Sequence, residues 1–414
     1  MENSKRDEQI ARLLRSEHIK YQDIDLGGGA TTGGHRRTSM DRVLFGSDLN
    51  GLTLLDIGSS LGHFCLEALR HGAAAATGLE TSPERLRHAR EIAAVVDQRA
   101  SYIEADFEEW SAPDKSFDVL LCLNVLHHLY DPIAAIRKIM AITRNRFYLE
   151  VAPVSLREIM KVANIATLFG GPRAPLMLLG DTRNSTRAAD RTFTFTKKAM
   201  AVIINGHSKA YESIRFHPSS FKGRWIVEAR RRQIDHLVVV AGVTSVGKSA
   251  FIDRLADPQL RARFDIESDF ATVSANAIDK LRDGPIGTLV YHYDLLRPFD
   301  RPLHSHGRDP AFHLLGSARR ITLITLANRP EILRDRLNSP EARASTRKGR
   351  KRQKVLLTQY ENPAFLSDWY NAWLTATARH VGRSEDRAHL VLTDGAYPEI
   401  ADIGALHALF RTQS

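Results

Sequence analysis

Two glycine-containing segments directly follow apolar runs, and each has the residue types of a ligand-binding loop. In the first, LLDIGSSLGHF, the chain places Asp56, Gly58 and Gly62 after the apolar run. Glycine lets the backbone approach a ligand closely, and the helix that follows presents unpaired N–H groups. The spacing is D-x-G-x-x-x-G, which differs from the G-x-G-x-x-G of dinucleotide-binding dehydrogenases. The segment therefore predicts a polar ligand other than a nicotinamide dinucleotide.

Acidic and aromatic residues follow the next two predicted strands. Glu80 ends the second strand, where a carboxylate can accept both hydroxyls of a ribose. Asp106 and Phe107 follow the third strand and suit the amino group and the ring of an adenine. Together these residues predict a ligand that contains adenosine.

A fourth feature lies in FDVLLCLNVLHHLYDP. Its strand ends near Asn124, and His127 and His128 follow. Imidazole titrates near neutral pH, so either histidine could act as a general base; alternatively, one of them packs against or caps the helix. His35 and Arg37, in the stretch DLGGGATTGGHRR, either contact substrate or lie in an exposed loop.

In this order, the four features resemble the class I S-adenosylmethionine-dependent methyltransferases over roughly residues 40–230. The resemblance implies that Gly58–Gly62 cradles the amino acid part of the cofactor, that Glu80 binds its ribose and that Asp106 binds its adenine. It also implies that Asn124 lies at the cofactor. Upstream, YQDIDLGGGATTGGHRR resembles the N-terminal lid of methyltransferases related to wobble-uridine modification enzymes and to sugar O-methyltransferases. One departure is Ser59-Ser60, where many relatives have Cys-Gly.

The residues after the fourth strand bear on the methyl acceptor. Enzymes that methylate exocyclic amines usually carry an Asn/Asp-Pro-Pro-aromatic motif there. This chain has Asn124-Val125-Leu126-His127 instead. The predicted acceptor is therefore an oxygen atom.

The second glycine-containing segment, VVVAGVTSVGKSAF, has Gly242, Gly247, Lys248 and Ser249 at the spacing of a Walker A motif. Loop N–H groups at such a motif hold the α- and β-phosphates of a nucleotide. Lys248 would reach the β- and γ-phosphates and act in phosphoryl transfer, and Ser249 would ligate magnesium. The motif predicts binding of ATP and Mg²⁺.

This half resembles the P-loop kinase family over residues 235–414. Asp294 is expected to bind magnesium, unless it is a surface turn residue, and Asp269 lies where small kinases often keep the acid that activates the acceptor hydroxyl. ITLITLANRPEILRDRL resembles the strand and helix before a kinase lid, whose arginines neutralise charge on the transferring phosphoryl group. The lid candidates are Arg336, Arg343, Arg347 and Arg350. Alternatively, the basic run is a solvated loop or a nucleic-acid patch.

Strand and helix patterns alternate in both halves, which predicts two doubly wound α/β domains, a Rossmann-like methyltransferase sheet followed by a P-loop kinase sheet. Residues 155–190 are expected to form a helical or loop insertion. The basic run Arg230–Arg232 indicates a junction, so we predict a helix and lid over 1–45, a methyltransferase domain over 46–232 and a kinase-like domain over 233–414. The predicted helices cover 5–20, 40–44, 62–71, 82–96 and 197–205. The predicted strands cover 52–57, 75–80, 100–105, 117–123, 146–151, 211–217, 225–230, 236–241, 288–293, 321–327 and 389–392.

Composition narrows the class of protein. Of 414 residues, 43% are hydrophobic and 26% charged, which is typical of a soluble globular chain. A net charge of +10 favours anionic partners, such as phosphates, nucleotides, nucleic acid or a membrane surface. Cys65 and Cys122 are predicted to be buried free thiols. No segment resembles a signal peptide or a membrane span, so we expect a cytoplasmic protein.

The domain pairing predicts a bifunctional enzyme, an S-adenosylmethionine-dependent O-methyltransferase and an ATP-dependent kinase. Both would act on one small-molecule or glycan acceptor, for example a surface polysaccharide or glycolipid, which is compatible with peripheral membrane association. One alternative is a tRNA-modifying methyltransferase with an auxiliary ATP-binding domain. A second alternative is a methyltransferase with a regulatory nucleotide-binding module that transfers no phosphoryl group.

Overall fold

A computed structural model describes residues 2–16, 19–154, 174–179, 193–296, 310–340, 346–393, 399–400 and 403–410. The chain divides into two compact units. The first comprises Met1–His207 and Ser213–Arg231, and the second comprises Ser208–Glu212 and Arg232–Ser414. Among the described residues, no helix combines the length and apolar character needed to cross a membrane. Cys65 and Cys122 are buried free thiols, as predicted.

The described strands of the first unit are β1 (Asp25–Gly27), β2 (Ala30–Thr31), β3 (Thr53–Ile57), β4 (Ala75–Glu80), β5 (Ser101–Glu104), β6 (Phe117–Cys122), β7 (Thr143–Val151), β8 (Met177–Leu179), β9 (Phe193–Phe195), β10 (Arg215–Pro218) and β11 (Trp225–Arg230). Its described helices are α1 (Glu2–Leu14), α2 (Asp41–Leu44), α3 (His63–Arg70), α4 (Pro83–Val95), α5 (Pro132–Ile142) and α6 (Lys197–His207).

Seven of these strands form one sheet, in the order β10-β11-β7-β6-β3-β4-β5. The five from β7 to β5 are parallel, β11 is antiparallel to β7, and β10 is antiparallel to β11. This confirms the predicted parallel sheet, to which β11 and β10 add an antiparallel edge. Because parallel strands share one carboxyl edge, the loops after β3, β4 and β6 meet there.

Local sequence explains where several of these elements lie. In β3, the four residues from Leu54 to Ile57 are all buried, as expected for a strand covered by helices on both faces. In α4, the Ser82 side chain accepts a hydrogen bond from the Arg85 N–H, and Pro83 occupies the first helical position. Both are favourable at a helix start, and this start was predicted to within one residue.

Two features of the first unit differ from the prediction. Helix α1 begins and ends earlier than expected, because its charged first turns carry no apolar periodicity and so gave no signal in the sequence. Strands β8 and β9 pair in antiparallel fashion, in and after the region predicted as an insertion. Both are only three residues long, too short for a period to show. Residues 155–173 and 180–192 lie outside the described part of the chain.

The described strands of the second unit are β12 (Ile234–Gly242), β13 (Phe270–Ser274), β14 (Ile286–Asp294), β15 (Ala318–Ala327), β16 (Arg387–Leu392) and β17 (Glu399–Ile400). Its described helices are α7 (Lys248–Asp253), α8 (Pro258–Arg263), α9 (Pro330–Asn338), α10 (Arg347–Gln359), α11 (Pro363–Ala378) and α12 (Ile403–Phe410).

The sheet of the second unit has the order β13-β14-β12-β15-β16-β17. Strands β13 to β16 are parallel, and β17 is antiparallel to β16. Strand β12 is central, and the chain passes to β13 on one side of it and later to β15 on the other. In open α/β sheets, ligands bind at the carboxyl edge beside such a reversal. The loop after β12 lies at that position.

Aromatic side chains fill the core on one side of this sheet. Trp373, on α11, is fully buried, and its indole N–H donates to Thr325 Oγ1 at 2.9 Å. Its ring stacks on Tyr293, with 5.1 Å between the centroids. Tyr370 donates from its hydroxyl to the Leu326 carbonyl oxygen at 2.7 Å. Helix α11 is therefore joined to β14 and β15 by both packing and hydrogen bonds.

We expect Trp373→Ala to destabilise the second unit by about 3–5 kcal/mol, because it removes a fully buried ring and leaves a cavity. Hydrogen exchange followed by mass spectrometry should show faster exchange of amides in β14 and β15, with β3 and β4 unchanged. The control is Val355→Ala, on the exposed face of α10. Equal effects of the two changes would contradict this account of the core.

Candidate active sites

The loop after β3 has a backbone conformation that favours glycine. Gly58, Ser60 and Gly62 have φ values of 71°, 52° and 83°. A Cβ atom at Gly58 would lie 2.3 Å from Val125 Cγ2, and one at Gly62 would lie 2.1 Å from Tyr102 Oη. Both distances are far below van der Waals contact. The two glycines predicted to form the cofactor loop are therefore required for its shape.

This loop is tied to strand β4 and to the residue that ends it. The N–H groups of Gly58 and Ser59 both donate to the Leu79 carbonyl oxygen, at 2.8 and 2.9 Å. Glu80 is 6% exposed, and its Oε2 accepts from the Ser60 N–H at 3.0 Å. Its Oε1 accepts from two N–H groups of the turn after β4, each at 3.0 Å. The structure thus brings Glu80 to the loop, as the predicted site requires.

Asp56, at the end of β3, is buried below the loop. Burial is the main cause that raises the pKa of Asp56 to about 8; Glu80 raises it further and Arg37 opposes the shift. Asp56 Oδ2 and Ser60 Oγ are buried and have no hydrogen-bond partner among the described residues. Buried polar atoms are nearly always paired. These two atoms therefore indicate that a polar ligand completes the site.

Residues of the N-terminal segment cover this loop. Gln22 Oε1 accepts from the N–H groups of Leu61 and His63, at 3.1 and 3.4 Å. Tyr21 Oη accepts from Asn124 Nδ2 at 3.2 Å. Neither Tyr21 nor Gln22 was predicted as a site residue. The one signal for them was the resemblance of this stretch to a methyltransferase lid.

Arg37 is buried and does not lie in an exposed loop. It is 3% exposed and donates to Glu150 Oε2 at 2.8 Å. Its guanidinium lies 5.2 Å from the ring centroid of Phe64 and 4.8 Å from that of Phe221. His35 is exposed, and its ring is 5.0 Å from Phe221. The ion pair fastens the N-terminal segment to strand β7.

The two residues predicted to contact adenine differ in exposure. Asp106 is exposed, and its Oδ1 accepts from the Glu108 N–H at 2.8 Å. Phe107 is 3% exposed, with Lys138 Nζ 4.8 Å from its ring centroid. Asp106 is therefore accessible to a ligand, whereas Phe107 packs into the unit.

The segment after β6 brings Asn124 and the two histidines to the same edge of the sheet. Asn124 has a φ of 63°, and its Oδ1 is buried with no partner among the described residues. His127 is 2% exposed, whereas His128 is exposed. Burial, together with the charges of His128 and Arg224, lowers the pKa of His127 to about 3. At neutral pH the His127 imidazole is uncharged and a weak base, so it suits hydrogen bonding better than proton abstraction.

Comparisons with known proteins bear on this unit. Residues 55–149 match the family model described as a methyltransferase domain. The first unit therefore contains a stretch that is similar to methyltransferase domains. The matched residues span β3 to β7 and include the glycine loop, Glu80 and the two histidines.

The relatives of the methyltransferase domain differ in the acceptors that their names give. Ajmaline N-methyltransferase of Rauvolfia serpentina is 26% identical over 143 residues, which are 32% of this chain and 49% of that protein. Ubiquinone biosynthesis O-methyltransferase of Vibrio vulnificus strain YJ016 is 32% identical over 107 residues, which are 25% of this chain and 45% of that protein. Ribosomal protein L11 methyltransferase of Salmonella newport strain SL254 is 36% identical over 102 residues, which are 24% and 35% of the two chains. The chain thus spans about half the length, or less, of these relatives.

The loop after β12 in the second unit encloses a lysine. Lys248 is 5% exposed, and its Nζ donates to the carbonyl oxygens of Gly242 and Val243, at 2.9 and 2.7 Å. Gly247 has a φ of 104°, in the region that favours glycine. A Cβ atom at Gly242 would lie 2.8 Å from the Leu326 carbonyl oxygen. The predicted glycines therefore give the loop its shape around a buried cation.

Asp294 lies beside this loop. Strands β12 and β14 pair so that Gly242 is opposite Asp294. Asp294 Oδ2 accepts from Thr244 Oγ1 at 2.9 Å. Ser249 is exposed in the first turn of α7. The structure thus brings the predicted carboxylate to the loop, and it is no isolated surface turn residue.

Of the predicted lid arginines, the structure describes the side chains of Arg336 and Arg350. Arg336 is held by the loop and by the residue after β16: it donates from Nη1 to the Val246 carbonyl oxygen at 2.9 Å and from Nη2 to the Thr393 carbonyl oxygen at 2.6 Å. These bonds fix the guanidinium beside the loop, and its role in neutralising charge on a phosphoryl group stays a prediction. Arg343 lies outside the described residues, and so does the side chain of Arg347; Arg350 is exposed.

The prediction for Asp269 is corrected. Asp269 is exposed and directly precedes β13. The first residue of β13, Phe270, pairs with Thr288, and Thr288 pairs with His236 of β12. His236 lies six residues before Gly242, the last residue of β12. At about 3.3 Å per residue, Asp269 is on the order of 20 Å from the loop, at the amino edge of the sheet. It therefore cannot activate an acceptor there.

We expect Gly62→Ala to abolish measurable binding of S-adenosylhomocysteine, because the added methyl group would displace Tyr102 and open the loop. Isothermal titration calorimetry measures this directly. Gly51→Ala is a matched control, since Gly51 also has a positive φ of 73° but nothing lies within 4 Å of an added Cβ. Loss of binding in both variants would mean that backbone strain alone, and not closure of the loop, is responsible.

The raised pKa of Asp56 predicts a pH dependence of stability. The folded state holds the Asp56 proton up to about pH 8, whereas the unfolded chain releases it near the ordinary value of 3.8. Binding of this proton therefore contributes to the free energy of unfolding. The contribution is complete below pH 4 and is lost as the pH rises towards 8. In urea denaturation from pH 5 to 8, Asp56→Asn should gain stability relative to the wild type as the pH rises. Asp114→Asn, which changes an exposed carboxyl group, should follow the wild type.

Proposed function

We propose that this chain methylates an oxygen atom of a small-molecule or glycan acceptor in its first unit and phosphorylates an acceptor in its second. The observation that carries the proposal is shared by both units. In each, a glycine loop at the carboxyl end of the central strand lies beside a carboxylate, Glu80 in the first and Asp294 in the second. This geometry suits adenosine-containing ligands in both.

S-adenosylmethionine fits the residues of the first site. The Gly58–Gly62 loop would hold its amino acid part, near the unpartnered Asp56 Oδ2 and Ser60 Oγ. Glu80 would bind the ribose hydroxyls, and Asp106, which is exposed, the adenine amino group. When bound, the cofactor supplies an electrophilic methyl group on a sulfonium centre.

An oxygen acceptor is supported by the segment after β6, which lacks the proline pair of enzymes that methylate exocyclic amines. One of the similar proteins is named as an O-methyltransferase and another as an N-methyltransferase. Asn124 Oδ1 and His127 Nδ1 are buried without a partner among the described residues. Both can orient a polar acceptor, while the exposed His128 is better placed to take up a proton.

ATP and Mg²⁺ fit the second site. Lys248 provides a buried cation, and the hydroxyl of Ser249 and the carboxylate of Asp294 are oxygen ligands of the kind that Mg²⁺ prefers. When bound, the nucleotide supplies the phosphoryl group. Lys248 and the loop N–H groups would stabilise negative charge on its phosphates.

One observation favours a second candidate for this unit. With Asp269 at the opposite edge of the sheet, no acid predicted to activate a phosphoryl acceptor lies at the loop. The unit would then bind a nucleotide and regulate methylation without phosphoryl transfer.

Mass spectrometry of cell extracts can test both activities together. We expect one metabolite to change in both variants. It should lack a methyl group in cells with Gly62→Ala, and it should lack a phosphate group in cells with Lys248→Ala. Asp269→Asn, which changes an exposed carboxylate away from the loop, should leave both groups in place. If Lys248→Ala abolishes ATP binding by the purified protein but changes only methylation in cells, the regulatory alternative is correct.

A further inference from the structure

Two arginines and a histidine surround Phe221, in the turn between β10 and β11. The ring centroid of Phe221 is 5.0 Å from that of His35, 4.8 Å from the Arg37 guanidinium and 5.3 Å from the Arg224 guanidinium. Among the described residues, Glu150 is the carboxylate that pairs with this cluster, and it is bonded to Arg37. The cluster therefore carries an excess of positive charge.

Arg224 is the member of the cluster whose charge no carboxylate among the described residues balances. Its backbone N–H donates to the Phe221 carbonyl oxygen at 3.1 Å, which fixes the turn. The next residue, Trp225, pairs with Val151, so Arg224 lies at the carboxyl end of β7. Arg224 Nη1 is buried and has no hydrogen-bond partner among the residues that the structure describes. A buried guanidinium N–H without an acceptor is costly, so this geometry indicates a missing acceptor.

Unpartnered atoms also lie on the segment after β6, beside this turn. Strands β6 and β7 pair in parallel, so the segment after β6 and the turn that holds Arg224 lie at the same carboxyl edge of the sheet. Consistent with this, the charge of Arg224 contributes to lowering the pKa of His127. His127 Nδ1 and Asn124 Oδ1 are both buried and unpartnered within the described part of the chain. Asn124 in turn binds Tyr21, over the cofactor loop. In the sheet, β6, β7 and β11 lie on one side of β3, and β4, which ends at Glu80, lies on the other. The three unpartnered groups thus line the side of the methyltransferase site that is opposite to Glu80.

We propose that the methyl acceptor carries an anionic group, a carboxylate or a phosphate monoester, which binds Arg224 at the carboxyl end of β7. This inference rests on the proposed methyltransferase function and adds the chemical class of its acceptor. A carboxylate or phosphate oxygen supplies the acceptor that Arg224 Nη1 lacks, and its charge balances the cationic cluster. Neutral analogues of the acceptor would leave Arg224 Nη1 buried and unpaired, so the same residue would select against them.

The test uses the full chain with Lys248→Ala, so that anions do not bind the second loop. Phenyl phosphate, benzoate and the neutral benzyl alcohol are titrated by calorimetry, with and without S-adenosylhomocysteine. We expect at least one anion to bind roughly tenfold or more tightly than benzyl alcohol, as for a charge-assisted hydrogen bond. The phosphate and carboxylate arms show which anion the site takes.

Arg224→Gln should abolish the preference for anions, and Arg224→Lys should retain part of it. Lys222→Gln is the matched control, because it removes the same charge from an exposed position in the same turn. Unchanged S-adenosylhomocysteine affinity in Arg224→Gln shows that the variant is folded. Equal losses in Arg224→Gln and Lys222→Gln, or no preference for anions at all, would overturn the inference. If S-adenosylhomocysteine itself does not bind, the proposed function fails separately.

Discussion

One backbone carbonyl, that of Leu79, holds the methyltransferase site together. It accepts the N–H groups of both Gly58 and Ser59, so the loop after β3 is fixed against β4 before any side chain acts. This arrangement turns the Ser60 N–H towards Glu80 and leaves Asp56 enclosed below. Glycine is needed at positions 58 and 62 because φ is positive at both and an added Cβ atom would collide with Val125 or Tyr102. The shape of this loop is therefore set by main-chain geometry.

The second unit has a similar arrangement of strand and loop, but the loop surrounds a different chemical group. Its loop also follows a central parallel strand, but the loop encloses the ammonium group of Lys248, whereas the first loop lies over the carboxyl group of Asp56. A cation suits a phosphate chain, and a buried acid suits the amino group of an amino acid. Arg336 braces the second loop from outside, through Val246. Arg336 thus holds the loop, and its role in charge neutralisation stays a prediction.

Sequence was a good guide wherever the signal was local. Apolar runs located the strands, Ser82-Pro83 located a helix start, and glycine spacing located both loops. It failed where the answer depended on distant pairing. Asp269 was misassigned because its position beside a strand does not reveal at which edge of the sheet it lies. Tyr21 meets Asn124 across 103 positions, a contact that no spacing rule predicts.

The ion pair between Arg37 and Glu150 has a consequence for dissecting the protein. It joins residues 113 positions apart, and Glu150 is fully buried. A chain shortened past Arg37 would retain every residue of the matched domain, 55–149, yet would leave Glu150 as a buried anion without its counter-charge. The smallest autonomous version of the first unit therefore extends upstream of the region that family comparison delimits.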